Sequence, residues 1–124
     1  MKITTFNPMI LTPKADELIR FFEELGFEKR HAPTVETGKG MVTSTRMKNA
    51  DGFCIDIAGV DSLQEDVQII RMNVDNFEEA YEMLIAKGFE NPSGGHFVET
   101  AKNKSTLMVS PSGFKFDLCQ HIKE

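Results

Sequence analysis

The chain nearly repeats itself after about sixty residues, and this constrains its fold more than any other feature. The run Asp16-Glu17-Leu18-Ile19-Arg20-Phe21-Phe22-Glu23-Glu24-Leu25-Gly26-Phe27-Glu28 lies over Glu78-Glu79-Ala80-Tyr81-Glu82-Met83-Leu84-Ile85-Ala86-Lys87-Gly88-Phe89-Glu90, an offset of 62. Further on, Gly52-Phe53-Cys54-Ile55-Asp56-Ile57 matches Gly113-Phe114-Lys115-Phe116-Asp117-Leu118 at an offset of 61. Blocks that recur twice, in order, over a period longer than a solenoid repeat indicate a duplicated module rather than an array.

Each half reads as a strand, a helix and then several strands. In the first, Phe6 to Leu11 is an apolar run. Thr12-Pro13 follows as an N-cap candidate with proline in the first turn. Leu18, Ile19, Phe21, Phe22 and Leu25 then form a stripe at helical spacing, and Gly26 is placed to end the helix. In the second, Val67 to Val74 is a strand and Asp75 the expected N-cap. Phe77, Ala80, Tyr81, Leu84 and Ile85 make the stripe, and Gly88 stops it. Turn signals at Gly38-Lys39-Gly40, Asn49-Ala50-Asp51-Gly52, Asn91-Pro92-Ser93-Gly94-Gly95 and Ser110-Pro111-Ser112-Gly113 divide the remainder into short strands. Both helical stripes are expected to pack on a sheet, which leaves the other face of the sheet for function.

Alternation along the strands assigns side chains to that face. Phe114, Phe116 and Leu118 are expected to cover one helix, so Lys115, Asp117 and Cys119 point away from it. Phe53, Ile55 and Ile57 cover the other helix and leave Cys54 and Asp56 opposite. Ile70, Met72 and Val74 turn inward, so Ile69, Arg71 and Asn73 face out, and the same phase turns out Asn7, Met9 and Leu11. A four-residue turn at 49–52 sets Thr45 and Met47 on the Asp56 face, and its repeat sets Thr106 and Met108 on the Asp117 face. That register turns Arg46 toward a helix. Carboxylates, an arginine, a lysine, amides and methionines mixed on one face resemble the lining of a small-molecule pocket more than a plain solvated surface.

Composition narrows the partners. The 124 residues are enough for one small domain, read as residues 1–124 with modules at about 1–62 and 63–124. The net charge of −5 argues against a nucleic-acid surface, which needs a basic face. No apolar run is long enough to span a bilayer, and the start of the chain has no signal-peptide apolar region, so a cytoplasmic protein is expected. Cys54 and Cys119 lack CxxC spacing and read as small buried thiols. His31, His96 and His121 read as ordinary, partly exposed histidines, His96 opening a strand. There is no Ser-His-Asp order, Gly-rich phosphate loop or HExxH stretch.

These residues resemble the vicinal oxygen chelate superfamily, the group of glyoxalase I, bleomycin-resistance proteins and extradiol dioxygenases. The resemblance spans the whole chain. It is carried by Asn7-Pro8-Met9-Ile10-Leu11-Thr12 leading into a helix that ends Glu24-Leu25-Gly26-Phe27, and by Ser110-Pro111-Ser112-Gly113-Phe114-Lys115-Phe116-Asp117-Leu118. The latter is similar to the family's Asp-Pro-Asp-Gly-x-x-Ile-Glu-Leu ending. The resemblance implies an α+β fold of two tandem βαβββ modules, a mixed sheet curled into a cup with the helices outside, and a homodimer.

Metal-dependent members place a histidine near the start of each module's first strand and a glutamate on each module's last strand. Carried over by position, these places are Asn7, Asp56, Ile69 and Asp117. Both histidines are missing and both acids are one methylene shorter, so no transition metal is expected. A hard cation such as Mg²⁺ or Ca²⁺, bound weakly at Asp56 or Asp117, remains compatible with an oxygen-only set. The resulting expectation is a metal-independent, bleomycin-resistance-like protein without cofactor, binding a small anionic organic molecule through Asn7, Met9, Met47, Arg71, Asn73, Met108 and Lys115. Arg71 is either the ligand's main anchor or an internal partner of Asp56 or Asp117. The alternatives are a glyoxalase-like lyase or isomerase, or a dioxygenase-related enzyme, with a remnant metal site or with Asp56 or Asp117 as general base, and a scaffold whose sheet face serves only dimerisation.

Overall fold

A computed structural model describes residues 1–32, 34–37, 40–99 and 103–121. The turn expected at Gly38-Lys39-Gly40 lies largely outside them. The described residues form an α+β fold of two compact units, one of residues 7–68 and one of residues 1–6 with 69–124. The expected module boundary near 62 falls slightly later, and the opening strand β1 (Ile3–Thr12) is divided between the units.

In the unit of residues 7–68, β1 leads into α1 (Ala15–Glu24), followed by β2 (Glu28–His31), β3 (Thr34–Thr37), β4 (Gly40–Lys48) and β5 (Cys54–Gly59). β5 is parallel to β1 and antiparallel to β4, while β2 and β3 both pair antiparallel with β4. The pattern is βαβββ with its second strand broken in two. Thr12 does not cap α1 directly. Lys14 occupies the N-cap without a side-chain bond, and Thr12 Oγ1 instead accepts from the Lys14 amide at 3.0 Å. Gly26 ends the helix at φ 97°, a backbone geometry that side chains disfavour. Leu18, Ile19 and Phe22 pack on Met47, Ile55 and Ile57. Phe21 and Leu25, expected inside, are about half exposed, and no α1 residue is fully buried.

The other unit is βαβββ in sequence order: β6 (Val67–Val74), α2 (Phe77–Ala86), β7 (Val98–Glu99), β8 (Asn103–Val109) and β9 (Lys115–His121). β6 and β9 are parallel, and β9, β8 and β7 run antiparallel in turn. Asn76, not Asp75, caps α2, its Oδ1 accepting from the Glu79 amide at 3.1 Å. Asp75 is drawn away because its carboxylate accepts from the Lys2 amide at 2.6 Å. Phe77, Ala80 and Leu84 of α2 share a core with Met72, Val74, Met108, Phe116 and Leu118. Each of the larger of these side chains is worth about 1.5–3 kcal/mol on burial, and the Ala80 methyl less. Lys104 closes the edge of this core, its ammonium 5.0 Å above the Phe77 ring and paired with Glu78. His96 precedes β7 instead of opening it, and His121 is the last residue of β9.

Phe53 and Phe114 correct the face assignment. Each precedes its strand instead of belonging to it, and they are 66% and 50% exposed rather than packed on a helix. The cause is the turns. Asn49 N–H donates to the Phe53 carbonyl, and Ser110 N–H to the Phe114 carbonyl, at 3.0 and 2.8 Å. The Asn49 and Ser110 side chains accept back from the Phe53 and Phe114 amides at 2.9 Å each. Each turn therefore includes its phenylalanine, one residue more than expected.

Candidate functional site

That extra residue shifts both hairpins by one position, and a one-residue slip moves every side chain to the opposite face. Arg46, not Thr45, stands opposite Asp56, and Leu107, not Thr106, opposite Asp117. Met47 and Met108 consequently join the helix-facing cores, both 0% exposed, and do not line the other face. This corrects their expected place among the ligand contacts. Arg46 is the residue that sequence reading missed. The usable signal was chemical: a guanidinium turned into an apolar helix contact has no partner, so the register that did so was disfavoured.

In the unit of residues 7–68, the face away from α1 carries the row Met9, Asp56, Arg46 across β1, β5 and β4. Asp56 is 1% exposed, and Asn7 and Met9 are 6% exposed each. Arg46 grips the carboxylate with two parallel bonds, Nε to Oδ1 and Nη2 to Oδ2, both 2.8 Å. Nη2 also donates to Asn7 Oδ1 at 3.2 Å. The Asn7 amide donates in turn to Asp56 Oδ2 at 3.0 Å and to the Pro8 carbonyl at 2.9 Å. Fork-on-carboxylate geometry is the strongest form of this pairing, and it engages both carboxylate oxygens.

In the other unit, the face away from α2 carries Arg71, Asp117 and Leu107 across β6, β9 and β8. Arg71 is buried, and its Nε lies 3.9 Å from Asp117 Oδ2. Two residues further along β6, Asn73 stands opposite Cys119 and donates through Nδ2 to Thr5 Oγ1 at 2.5 Å. Lys115, on the Asp117 phase of β9, is exposed. Burial pushes the Cys119 thiol well above its ordinary range, and the neighbouring Asp117 charge adds to the shift. It is an inert thiol at neutral pH.

The residues do not fit a transition metal. Of the four positions that the resemblance assigns to ligands, Ile69 is apolar, Asp56 and Asn7 already take hydrogen bonds from Arg46, and Asp117 has a guanidinium nearby. Among the described residues no three His, Cys, Asp or Glu side chains converge. No helix among them is long and apolar enough to cross a membrane.

No known family profile matches the sequence, and no curated protein is detectably similar to it. Solved structures are similar in fold. The methylmalonyl-CoA epimerase from Mycobacterium tuberculosis has a TM-score of 0.75 at 9% identity over 98% of this chain and 90% of its own. A methylmalonyl-CoA epimerase variant from Streptomyces coelicolor, in complex with 2-nitronate-propionyl-CoA, has a TM-score of 0.70 at 14% identity over 98% and 100%. A glyoxalase I mutant from Zea mays gives 0.67 at 12% identity over 98% of this chain and 44% of its own. Epimerase and glyoxalase I are both vicinal oxygen chelate proteins, and the chain has the fold of that superfamily.

Proposed function

We propose that the protein is a metal-independent, bleomycin-resistance-like binder of a small anionic organic molecule, acting as a cytoplasmic homodimer. The observation that carries this reading is the replacement of metal chemistry by arginine chemistry. Each unit sets a guanidinium, not imidazoles, beside the aspartate at the family's acid position. Around Asp56 the network is closed, since Arg46 and Asn7 engage both carboxylate oxygens. The Asp117 face is different in charge. Arg71 and Lys115 outnumber Asp117 there, so its local field favours an anion. Arg71 is the anchor in this reading, with Asp117 holding it in place, while Asn7 and Met9 lie on the Asp56 face of the unit of residues 7–68.

A second reading is favoured by the solved relatives. The epimerase from Streptomyces coelicolor is complexed with a coenzyme A ester analogue, so an acyl thioester is the first elaborated anion to test, with Asp117 as the base of an enzymatic version. The experiment is a thermal-shift screen of wild type and Arg71→Met against small carboxylates, coenzyme A and acyl-coenzyme A esters, and neutral analogues. Stabilisation of wild type by anions but not by neutral analogues, lost in Arg71→Met, is the expected result. Equal stabilisation of both proteins removes Arg71 as anchor. Turnover of an acyl thioester that Asp117→Asn abolishes would establish the enzymatic reading instead.

A further inference from the structure

Asn73 treats its two amide heads differently. Nδ2 donates to Thr5 Oγ1, whereas Oδ1 is buried with no hydrogen-bond partner among the described residues. The residue is 1% exposed and lies on a central strand of its unit, between β1 and β9, so its amide is held rigidly. A buried amide oxygen left unbonded is costly, and native interiors leave few of them. Such an atom is retained where something else bonds it. Alternation puts Asn73 on the same face as Arg71, two strand residues away, or roughly 7 Å along β6. The strand thus presents a guanidinium and an unsatisfied acceptor in sequence.

We propose that Asn73 is a specificity-determining residue, its amide oxygen accepting a hydrogen bond from a hydroxyl or N–H group on the same ligand whose anionic group pairs with Arg71. The inference rests on the anion-binding reading above and sharpens it. The ligand class is a small acid carrying a donor a few bonds from the acid group, such as a hydroxy acid or an amide-bearing acid. A plain alkyl carboxylate leaves the oxygen unbonded, and a dicarboxylate sets lone pairs against it. The oxygen is buried, so a hydrogen bond to it forms out of competition with water.

Isothermal titration of the full chain with matched acids tests this. The probes are propionate and 3-hydroxypropionate, butyrate and 4-hydroxybutyrate, and hexanoate and 6-hydroxyhexanoate, against wild type and Asn73→Ala. Asn73→Leu, close to asparagine in volume, serves if circular dichroism shows the alanine variant unfolded. Wild type is expected to bind one or more of the hydroxy acids about tenfold more tightly than its partner, and the variant to bind both members alike. Wild type binding every pair alike, or a variant that keeps the preference, overturns the inference while the anion reading stands. Absence of carboxylate binding by wild type overturns both.

Discussion

Asp56 shows how a single carboxylate is made tolerable in a dry position. It is 1% exposed, and Arg46 and Asn7 supply donors to both of its oxygens. Such a pair adds little net stability over apolar residues of the same shape, but breaking it leaves an uncompensated charge. Arg46→Met is therefore expected to lower the unfolding free energy by about 3–5 kcal/mol in urea titrations. Arg46→Met with Asp56→Leu should recover most of that loss, and a double variant no better than the single one would refute this account. Cys119 makes a pH prediction. Burial, above all, holds its folded-state pKa well above the ordinary thiol range. The folded chain thus holds the proton that the unfolded chain releases, so this contribution to stability is complete below about pH 9 and declines as pH rises toward the folded pKa. Denaturant midpoints measured from neutral to alkaline pH should fall less steeply in Cys119→Ala. Native Cys119 should also resist alkylation at neutral pH, whereas urea-unfolded protein should react.

The repeat is imperfect at the scale of elements, and the imperfections compensate one another. Met9 on β1 corresponds to Arg71 on β6, and Arg46 on β4 corresponds to Leu107 on β8. Each unit thus flanks its aspartate with one cation and one apolar side chain, but the cation comes from the opposite neighbouring strand. Helix capping diverges too, since Asn76 bonds its helix while Lys14 does not. The turns, by contrast, are alike, and their length decides which face each methionine takes. Met47 is expected to act as core. Met47→Ala should cost about 2–5 kcal/mol, and Met47→Leu less than about 1.5 kcal/mol, by equilibrium denaturation. If Met47→Ala left stability unchanged and altered ligand binding alone, the observed register would be wrong.

For the molecule as a whole, the donor set leads to the expectation that the chain folds without a transition metal. A tightly bound metal at a hundredfold its Kd adds about 2.7 kcal/mol to the folded state, which chelation removes. The Tm of purified protein is therefore expected to be unchanged by EDTA, and a fall accompanied by one equivalent of released Zn, Ni, Fe or Mn would refute the metal-independent reading. The duplicated βαβββ order, the two helices and the strand faces of Asp56, Asp117, Arg71 and Asn73 were legible in the sequence, because strand and helix periodicity act over a few residues and need no distant partner, whereas Phe21, Leu25 and Ile85 of the helix stripes are exposed. The pairing of Arg46 with Asp56 was not. It depends on whether a turn closes over four residues or five, a difference set by the side-chain bonds of Asn49 and Ser110 to the amides of Phe53 and Phe114. One added residue reverses a strand's faces, so the register that moved Met47 and Met108 into the cores and brought Arg46 to the acid was decided only when the strands were paired.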